Sequence, residues 1–316
     1  MGLAYLRSDA DRAFGVGTGR VVVREGVAAG RDMVRAASAG RGWSRVRGPY
    51  WMARRFLGAA GKPLADETLI RFDFSVPGGH APIVVRRNQS DLLILWQIFL
   101  QGFYELDRVY ALDSRIDSLD TIVDLGGNTG QAAAYLTARC RPRRLLTVEP
   151  IAESRAVLQR NRELSGLDWI VEDCAVAGSG GELEFAVSEF WDTCTAVPEV
   201  YELRQQRPWR LENVLARPPR KVPARTVDEL LDRHGIDHVD LLKVDVEGSE
   251  VEIFAEPRPW MSRVDRVVLE VHDKYIDGDI VRNTMKQAGF HRIPPRLPDP
   301  PGFNPVELYW RDGLKE

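Results

Sequence analysis

The chain has few cysteines and no long apolar run. Its three cysteines, Cys140, Cys174 and Cys194, include no Cys-x-x-Cys pair, which excludes a disulfide framework. No stretch approaches the roughly 18 consecutive apolar residues that cross a bilayer. Charged residues interrupt the first twelve positions, so no signal-peptide core is present there. We therefore expect a cytoplasmic protein whose cysteines stay reduced and pack as small hydrophobic residues.

The rest of the composition is that of a folded protein. Hydrophobic residues make up 44% and charged residues 28% of the 316 positions, which excludes a disordered or collagen-like chain. At roughly 150 residues per domain, this length indicates two domains, or one large domain with an appendage.

Charge is distributed unevenly along the chain. Residues 1–62 carry twelve basic side chains and four acidic ones, whereas the remainder carries 31 basic and 42 acidic ones. A basic head suggests contact with something anionic: a phosphorylated carrier, a membrane surface, nucleic acid or the acidic body itself. A solvated extension explains the same charges equally well. An oligomer is also compatible with the sequence.

The chain divides into three parts. Residues 1–65 form a basic, arginine-rich extension with weakly helical stretches at 27–37 and 50–57. Residues 66–118 contain a predicted hairpin, turning at Pro77-Gly78-Gly79, and an apolar helix with Ser90 as its N-cap. From residue 119 to 316, short apolar runs alternate with helical segments. A proline-containing stretch, about 188–221, interrupts this pattern and is interpreted as an insertion.

Strands that alternate with helices predict a doubly wound α/β fold with a mostly parallel sheet. Ligands of such sheets bind beyond the carboxyl ends of the strands. The residues after each apolar run are therefore the candidates for a site.

The first such turn has the sequence DLGGNTG, which begins at Asp124. It is not a dinucleotide fingerprint, because Asn128 and Gln131 occupy the second and third glycine positions. Glycine is expected where the backbone must turn tightly and a ligand must approach it. An acid before the turn would repel a pyrophosphate and attract a cation, as S-adenosylmethionine is at its ammonium and sulfonium groups.

Acids also follow the next strands. Glu149 lies nineteen residues after Gly130, where a carboxylate can accept hydrogen bonds from ribose hydroxyls. Asp173 follows the third strand and is a candidate acceptor from an adenine amino group.

The fourth and fifth strands end in further ionisable residues. Asp245 and Glu247 would share a side with Lys243 if their strand continued. Glu270 and His272 share a side of the following strand. A histidine suits proton transfer near neutral pH.

These residues together resemble the FkbM-type family of class I S-adenosylmethionine-dependent methyltransferases. The resemblance covers about residues 83–310 and rests on VDLGGNTG (123–130), VEP (148–150), RTVDELLDRHGIDHVDLLKVDVEGSE (225–250) and LEVH (269–272), with RRNQSDLLILWQIFLQGFYEL (86–106) upstream. It implies a seven-stranded Rossmann-like sheet and O-methylation of a hydroxyl on a sugar, glycolipid, polysaccharide or secondary metabolite.

The resemblance also implies roles for individual residues. The expected cofactor-binding residues are Asp124, Gly126, Gly127, Asn128, Thr129, Gly130, Glu149, Pro150, Asp173, Cys174, Ala175 and Asp245. The residues expected to face the transferred methyl group are Asp245, Glu247 and His272.

Two mechanisms remain open at this point. His272 is the favoured base, oriented by Glu270 or Asp273, and Asp245 or Glu247 is the alternative. Alternatively, Asp245, Glu247 and Glu270 hold a divalent cation that lowers the pKa of the hydroxyl, although the sequence does not require a metal.

Other classes of protein compete with this interpretation. Asp299-Pro-Pro-Gly302 resembles a motif of amino-group methyltransferases, but it lies far from the fourth strand, which argues against N-methylation. An RNA-modifying enzyme would use the basic head, yet the isoelectric point near 6.1 counts against nucleic acid. The acids and glycines count against a non-catalytic relative of the fold, and Asp124 counts against a dinucleotide oxidoreductase.

Overall fold

The computed structural model describes residues 18–60, 64–110, 119–187, 194–197, 218–296, 304 and 306–313, with the backbone alone at 18–26 and 58–60. Most of the predicted insertion and the Asp299-Pro-Pro-Gly302 motif lie outside these residues. Within them, no helix combines the length and apolar character needed to span a membrane.

Two helices and a hairpin precede the central sheet. Helix α1 spans Thr18–Ala39 and α2 spans Ser44–Ala60, so both extend beyond the predicted helical stretches. Strands β1, Ala65–Val76, and β2, Gly79–Asn88, pair antiparallel and confirm the predicted hairpin. Strand β2 packs on the two helices that follow the first strands of the central sheet.

The apolar helix after the hairpin begins earlier than predicted. Helix α3, Gln89–Leu95, is capped by Asn88, whose side chain accepts a hydrogen bond from the backbone N–H of Asp91. Ser90 is therefore inside the helix, and its prediction as the N-cap is wrong. An asparagine two positions upstream is an equally good cap, and only its extended backbone distinguishes it. The helix continues as a π-helix, Trp96–Gln101, and a short α4, Leu106–Tyr110, follows.

The central sheet has the predicted class I methyltransferase topology. Its seven strands are β3 (Thr121–Leu125), β4 (Arg144–Val148), β5 (Ile170–Glu172), β9 (Leu241–Val244), β10 (Arg266–Glu270), β11 (Phe290–Ile293) and β12 (Val306–Arg311). They lie in the order β11-β12-β10-β9-β3-β4-β5. Strand β12 is antiparallel to both of its neighbours, and the other six strands run in one direction.

Helices cover both faces of this sheet because its strands are apolar on both sides. In β3, Ile122 belongs to one core cluster, whereas Val123 and Leu125 belong to the other. The first cluster also includes Ala36 and Met52 of the N-terminal helices, so these helices share a core with the sheet. The remaining helices are α5 (Gln131–Cys140), α6 (Ala152–Ser165), α7 (Val227–Arg233), α8 (Glu250–Ile253) and α9 (Gly278–Gln287), with a 3₁₀ turn at Pro259–Arg263.

A second, three-stranded sheet includes residues at the predicted end of the insertion, at about residue 221. It consists of β6 (Ala175–Val176), β7 (Gly181–Phe185) and β8 (Arg220–Arg225), with β8 in the centre. The predicted insertion overlaps the start of β8, because Pro223 and its charged neighbours are poor strand formers. Val222 and Ala224 are nevertheless buried, with the alternation of a half-buried strand.

We expect the buried ion pair at the start of α3 to contribute strongly to stability. Asp91 is fully buried, and Arg86 Nη2 lies 2.8 Å from its carboxylate. Asp91→Ala leaves the buried guanidinium without that carboxylate and should cost about 3–5 kcal/mol of unfolding free energy in a urea titration. Glu163→Ala removes the exposed Arg160 pair and should cost under about 1 kcal/mol. Equal losses in the two variants would show that burial adds nothing to the importance of the Arg86–Asp91 pair.

Candidate active site

A cavity opens at the carboxyl ends of the parallel strands, where the sequence places its acids and glycines. Three groups of residues form most of its wall. The first is the glycine turn after β3, the second is the set of strand ends from β4 to β10, and the third is the helical segment 93–104.

The glycine turn is held against the loop that follows β9. Gly126 has φ +85°, and a Cβ built on it would lie 1.8 Å from the carbonyl oxygen of Asp245. A Cβ on Gly127 would lie 2.1 Å from Thr147 Oγ1. We expected these glycines to make room for a ligand. The structure gives another reason for them, which is the close packing of the turn on neighbouring strands.

A buried ion pair lies directly beneath this turn. Lys243 Nζ is 3.0 Å from Asp124 Oδ1 and donates a hydrogen bond of 2.7 Å to the carbonyl oxygen of Gly126. The other carboxylate oxygen of Asp124 accepts from the hydroxyl of Thr147 at 2.9 Å. Burial alone would lower the pKa of Lys243, but Asp124, Tyr104 and Asp245 together outweigh it and raise the pKa, so the lysine stays charged.

This ion pair changes the role expected for Asp124. The side chain is fully buried and does not line the cavity, so it does not face the methionine part of a cofactor there. Its charge is compensated by Lys243 inside the protein. The attraction of a cation that we ascribed to Asp124 must therefore come from other carboxylates.

Glu149 connects the second strand to the glycine turn. Its two carboxylate oxygens accept backbone hydrogen bonds, one from Asn128 at 2.8 Å and one from Ile151 at 2.7 Å. Burial raises the pKa of Glu149 to about 7, although these two bonds and Arg155 favour its charged form. The residue lines the cavity, so its remaining acceptor sites are positioned for a ligand.

The third strand departs from the expectation. Asp173 is exposed and does not line the cavity, whereas Cys174 and Ala175 do. The neighbouring Glu172 is buried and lies 2.7 Å from His234 Nε2, so it stabilises the structure on the other side of the strand.

The expected cofactor-binding residues thus fall into two groups. Those that line the cavity are Gly126, Gly127, Asn128, Thr129, Glu149, Pro150, Cys174, Ala175 and Asp245. Those that do not line it are Asp124, Gly130 and Asp173.

Four carboxylates surround the imidazole of His272. Nδ1 is 2.7 Å from Glu250 Oε1, and Nε2 is 3.2 Å from Glu247 Oε2. Glu270 and Asp245 are farther from Nε2, at 3.8 and 3.9 Å. Asp245, Glu247 and Glu270 line the cavity, whereas His272 lies behind them and is 1% exposed.

The surroundings of His272 favour its protonated form. Burial alone would lower its pKa, but Glu250 and Glu247 raise the pKa well above 6.5. An imidazole that already holds its proton at neutral pH is not free to accept one. The geometry therefore disagrees with the expectation that His272 is the base.

The residue that orients His272 also differs from the expectation. We named Glu270 or Asp273, but Asp273 pairs with Arg282 at 2.6 Å, and Glu250 makes the close contact. Glu250 begins a short helix, so its sequence position is that of an ordinary first-turn acid. The sequence does not show that Glu250 is completely buried, so its contact with the histidine is visible only in the structure.

A turn, rather than a strand, brings Asp245 and Glu247 together. Strand β9 ends at Val244, and Glu247 has φ +55°, so the alternation of a strand does not apply. The hydroxyl of Thr195 donates to the carbonyl oxygen of Glu247 at 2.6 Å, which fixes the turn. Asp245 and Glu247 are therefore close together, as expected, but a turn and not the alternation of a strand brings them there.

Burial, together with the crowding of like charges, raises the pKa values of two cavity carboxylates. Burial raises the pKa of Asp245 to about 6; the charge of Lys243 opposes this shift, and that of Glu247 adds to it. Burial and the charge of Asp245 raise the pKa of Glu270 to about 8. Both carboxylates therefore hold their protons to a higher pH than free carboxylates do.

Two parts of the cavity wall were not anticipated. Leu93, Ile94 and Tyr104 come from the segment around the π-helix. Asn304 comes from the connection before β12 and donates a 3.0 Å hydrogen bond to Glu270. Their apolar or amide character carries no chemical signal in the sequence, so spacing alone does not point to them.

The three residues that could hold a metal ion in the structure differ in one member from the three that we expected. Asp245, Glu270 and His272 each bring a potential ligand atom within 4.8 Å of the others, whereas we expected Glu247 in place of the histidine. Carboxylate and imidazole donors suit a divalent transition metal. A metal ion and the proton of His272 would nevertheless compete for the same nitrogen.

Comparison with known proteins now identifies the family. Residues 124–292 match the Methyltransferase FkbM domain. The chain belongs to the FkbM methyltransferase family. The matched domain contains the ion pair, the glycine turn and all four carboxylates around His272, whereas the segment 93–104 and Asn304 lie outside it.

Among the relatives is the AMB antimetabolite synthetase AmbE of Pseudomonas aeruginosa, 24% identical over 262 residues. The match covers 73% of this chain but only 12% of AmbE. Methyltransferase 1 of Beauveria bassiana is 26% identical over 181 residues, covering 54% of this chain and 71% of that protein. The crystal structure of Methyltransferase FkbM from Methylobacillus flagellatus KT aligns with a TM-score of 0.41 at 17% identity, covering 69% of this chain and 53% of that chain.

We expect the glycine turn of the FkbM domain to tolerate no side chain at position 126. Gly126→Ala combines an unfavourable positive φ with a clash against backbone and should cost about 2–5 kcal/mol of unfolding free energy, measured with urea. Gly166 is the matched control, since it also has positive φ (+75°) but nothing within 4 Å of its Cβ position. Gly166→Ala should cost only about 1–2 kcal/mol. Similar losses in both would show that the contact with Asp245 is unimportant.

Proposed function

We propose that this FkbM methyltransferase transfers the methyl group of S-adenosylmethionine to a hydroxyl of a small-molecule or glycan acceptor. The observation that carries this proposal is the state of Asp245. Its Oδ1 is buried at the cavity wall and accepts no hydrogen bond from the described residues. An unused carboxylate oxygen with a pKa of about 6 is suited to accept a proton from an acceptor hydroxyl at neutral pH.

The cavity also fits the proposed donor. Glu149 offers acceptor sites to ribose hydroxyls, and the glycine turn supplies backbone beside it. The cavity carboxylates outnumber the cations that face them, Lys243 and His272, and a sulfonium would add positive charge to this excess of acid. When bound, the donor supplies an electrophilic methyl group: the acceptor oxygen bonds to the methyl carbon as the carbon–sulfur bond breaks, and S-adenosylhomocysteine is released.

The chain's own residues then have distinct roles. Asp245 takes the hydroxyl proton, because its neighbours Lys243 and His272 stabilise its charged form before the reaction. Glu250 holds the imidazolium of His272, which in turn holds Glu247 at 3.2 Å. In this proposal, His272 is a positioning residue and the base is the carboxylate that we first weighed as the alternative.

The wall formed by Leu93, Ile94 and Tyr104 supports an acceptor with apolar surface around its hydroxyl. A sugar, glycolipid, polysaccharide or secondary-metabolite scaffold fits this requirement. To identify it, the protein is incubated with methyl-labelled S-adenosylmethionine and a host extract, and the product is separated into glycan, lipid, RNA and small-molecule pools. We expect the label on an oxygen atom; label on nitrogen or in RNA would refute the proposal.

Glu149→Ala tests the donor site. Loss of its charge-assisted hydrogen bonds should weaken S-adenosylmethionine binding about tenfold to hundredfold in calorimetry. The control is Glu182→Ala, which removes an exposed acid from β7 and should leave the affinity within about twofold. Unchanged affinity in the Glu149 variant, with an intact circular dichroism spectrum, would exclude this assignment.

Asp245→Asn tests the base. The single-turnover methyl-transfer rate should fall about 10²–10⁴-fold, while donor affinity falls by less than about tenfold. Asp168→Asn, at an exposed position, is the control.

The pH profile gives an independent measure of the same group. Because the pKa of Asp245 is raised to about 6, its base form disappears as pH falls through that value. The rate should therefore rise with pH and level off above about 7. Glu247→Gln removes a negative neighbour and should move the inflection to lower pH. An unmoved inflection would assign the titration to another group.

A further inference from the structure

Helices α1 and α2 and the loop between them carry most of the large hydrophobic side chains that are exposed among the described residues. Of the eight large hydrophobic residues that are exposed in the described part of the chain, only Leu69 and Ile280 lie elsewhere. The other six are Val27, Val34, Trp43, Val46, Tyr50 and Leu57, and Trp43 is 77% exposed. We call this surface the N-terminal face.

Helical spacing places these residues on the side that faces away from the core. Trp43, just before α2, and Val46, Tyr50 and Leu57 recur at intervals of three, four and seven, which share one face of a helix. The opposite side is already occupied, since Ala36 and Met52 are buried in the core cluster. The apolar residues of the N-terminal face therefore have no role in the packing of the described fold.

The same segment of the chain is strongly basic. Residues 27–57 contain seven arginines and one acid, Asp32. The acid turns inward, because the side-chain amide of Gln101 donates to it at 3.0 Å. Five of the arginines are exposed and take part in no ion pair between described residues: Arg31, Arg41, Arg45, Arg47 and Arg54. Arg35 is exposed as well, but its guanidinium donates to the side chain of Gln101.

We propose that the N-terminal face binds an anionic lipid surface. Apolar side chains bury in the boundary between headgroups and acyl chains, tryptophan and tyrosine favour that boundary, and arginines pair with anionic headgroups. Neither signal alone anchors a protein firmly, but apolar area and a basic cluster together do. Charge complementarity thus favours a bilayer that contains anionic lipid.

Two other occupants fit this surface less well. Nucleic acid would satisfy the arginines, but exposed Val34, Val46 and Leu57 offer nothing to phosphates. A second copy of the chain in a twofold contact would bring the two sets of arginines against each other. A bilayer satisfies both the charge and the apolar side chains.

The helices of the N-terminal face contact the segment that lines the cavity. The amide of Gln89 in α3 donates to the carbonyl oxygen of Arg55 in α2, and Arg35 in α1 donates to Gln101. The helical segment that follows α3 lines the cavity at Ile98. The lipid-binding helices therefore rest on the segment that walls the site.

The test uses the full chain and sedimentation with lipid vesicles. One set contains phosphatidylcholine alone and the other contains about 30% phosphatidylglycerol, and both are used at about 0.1 M and about 0.5 M salt. We expect binding to the anionic vesicles at the lower salt concentration. We also expect it to weaken with salt, and little binding to the neutral vesicles.

Two double variants test the contributions of the basic and the apolar side chains separately. Arg45→Glu with Arg47→Glu should lower vesicle affinity at least about tenfold, since each basic residue contributes near the surface. Trp43→Ser with Val46→Ser should lower it comparably at high salt, where the apolar contribution remains. The matched controls, Arg143→Glu with Arg160→Glu and Ile280→Ser, change exposed residues elsewhere and should bind as the parent does.

Several outcomes would overturn the proposal. The first is that no vesicles bind, and the second is that the controls weaken binding as much as the face variants do. The third is that RNA or an acidic protein binds through Arg45 and Arg47 while vesicles do not. The fourth is a dimer in gel filtration that the Trp43 and Val46 variant disperses, again without vesicle binding. Thermal unfolding of each variant verifies that it is folded.

Discussion

The site depends on one buried ion pair, Lys243 with Asp124. It joins the ends of two neighbouring strands beneath the glycine turn, and Lys243 also binds the carbonyl oxygen of Gly126. The glycine turn also directs the backbone N–H of Asn128 toward the carboxylate of Glu149. Because the pair is removed from water, loss of either partner would leave the other charge uncompensated at the centre of the sheet. The glycine turn and Glu149 therefore rest on an ion pair of which one partner, Lys243, lines the cavity and the other, Asp124, does not.

The side of the cavity around His272 has the opposite electrostatic character. Four carboxylates share the imidazole of His272, so the negative charge there is only partly compensated. Together with burial, this excess is the reason that the pKa values of Asp245 and Glu270 lie above those of free carboxylates. A site that carries unbalanced acid is well suited to a positively charged methyl donor, and it keeps a carboxylate near the pH at which it exchanges protons.

The sequence predicts the architecture better than the chemistry. Strands, helices and the hairpin follow from local periodicity, and the seven-stranded, mostly parallel sheet follows from the family resemblance. The sequence does not predict strand β8, because Pro223 is unusual in a strand. Its buried and exposed side chains nevertheless alternate, which is seen only in the structure. The roles of Asp124, Asp173 and Glu250 depend on partners distant in the chain, and spacing carries no information about which acid is buried, paired or exposed.

The contact between Gly126 and the carbonyl oxygen of Asp245 joins the first and fourth turns of the domain as two surfaces that must match. Chimaeras made by recombining family members between these positions would unite halves that never evolved against each other. A crossover placed before the first turn, or after the fourth, keeps the matched surfaces from one parent. Exchange of segments outside these two turns would then leave this contact as it is in one parent.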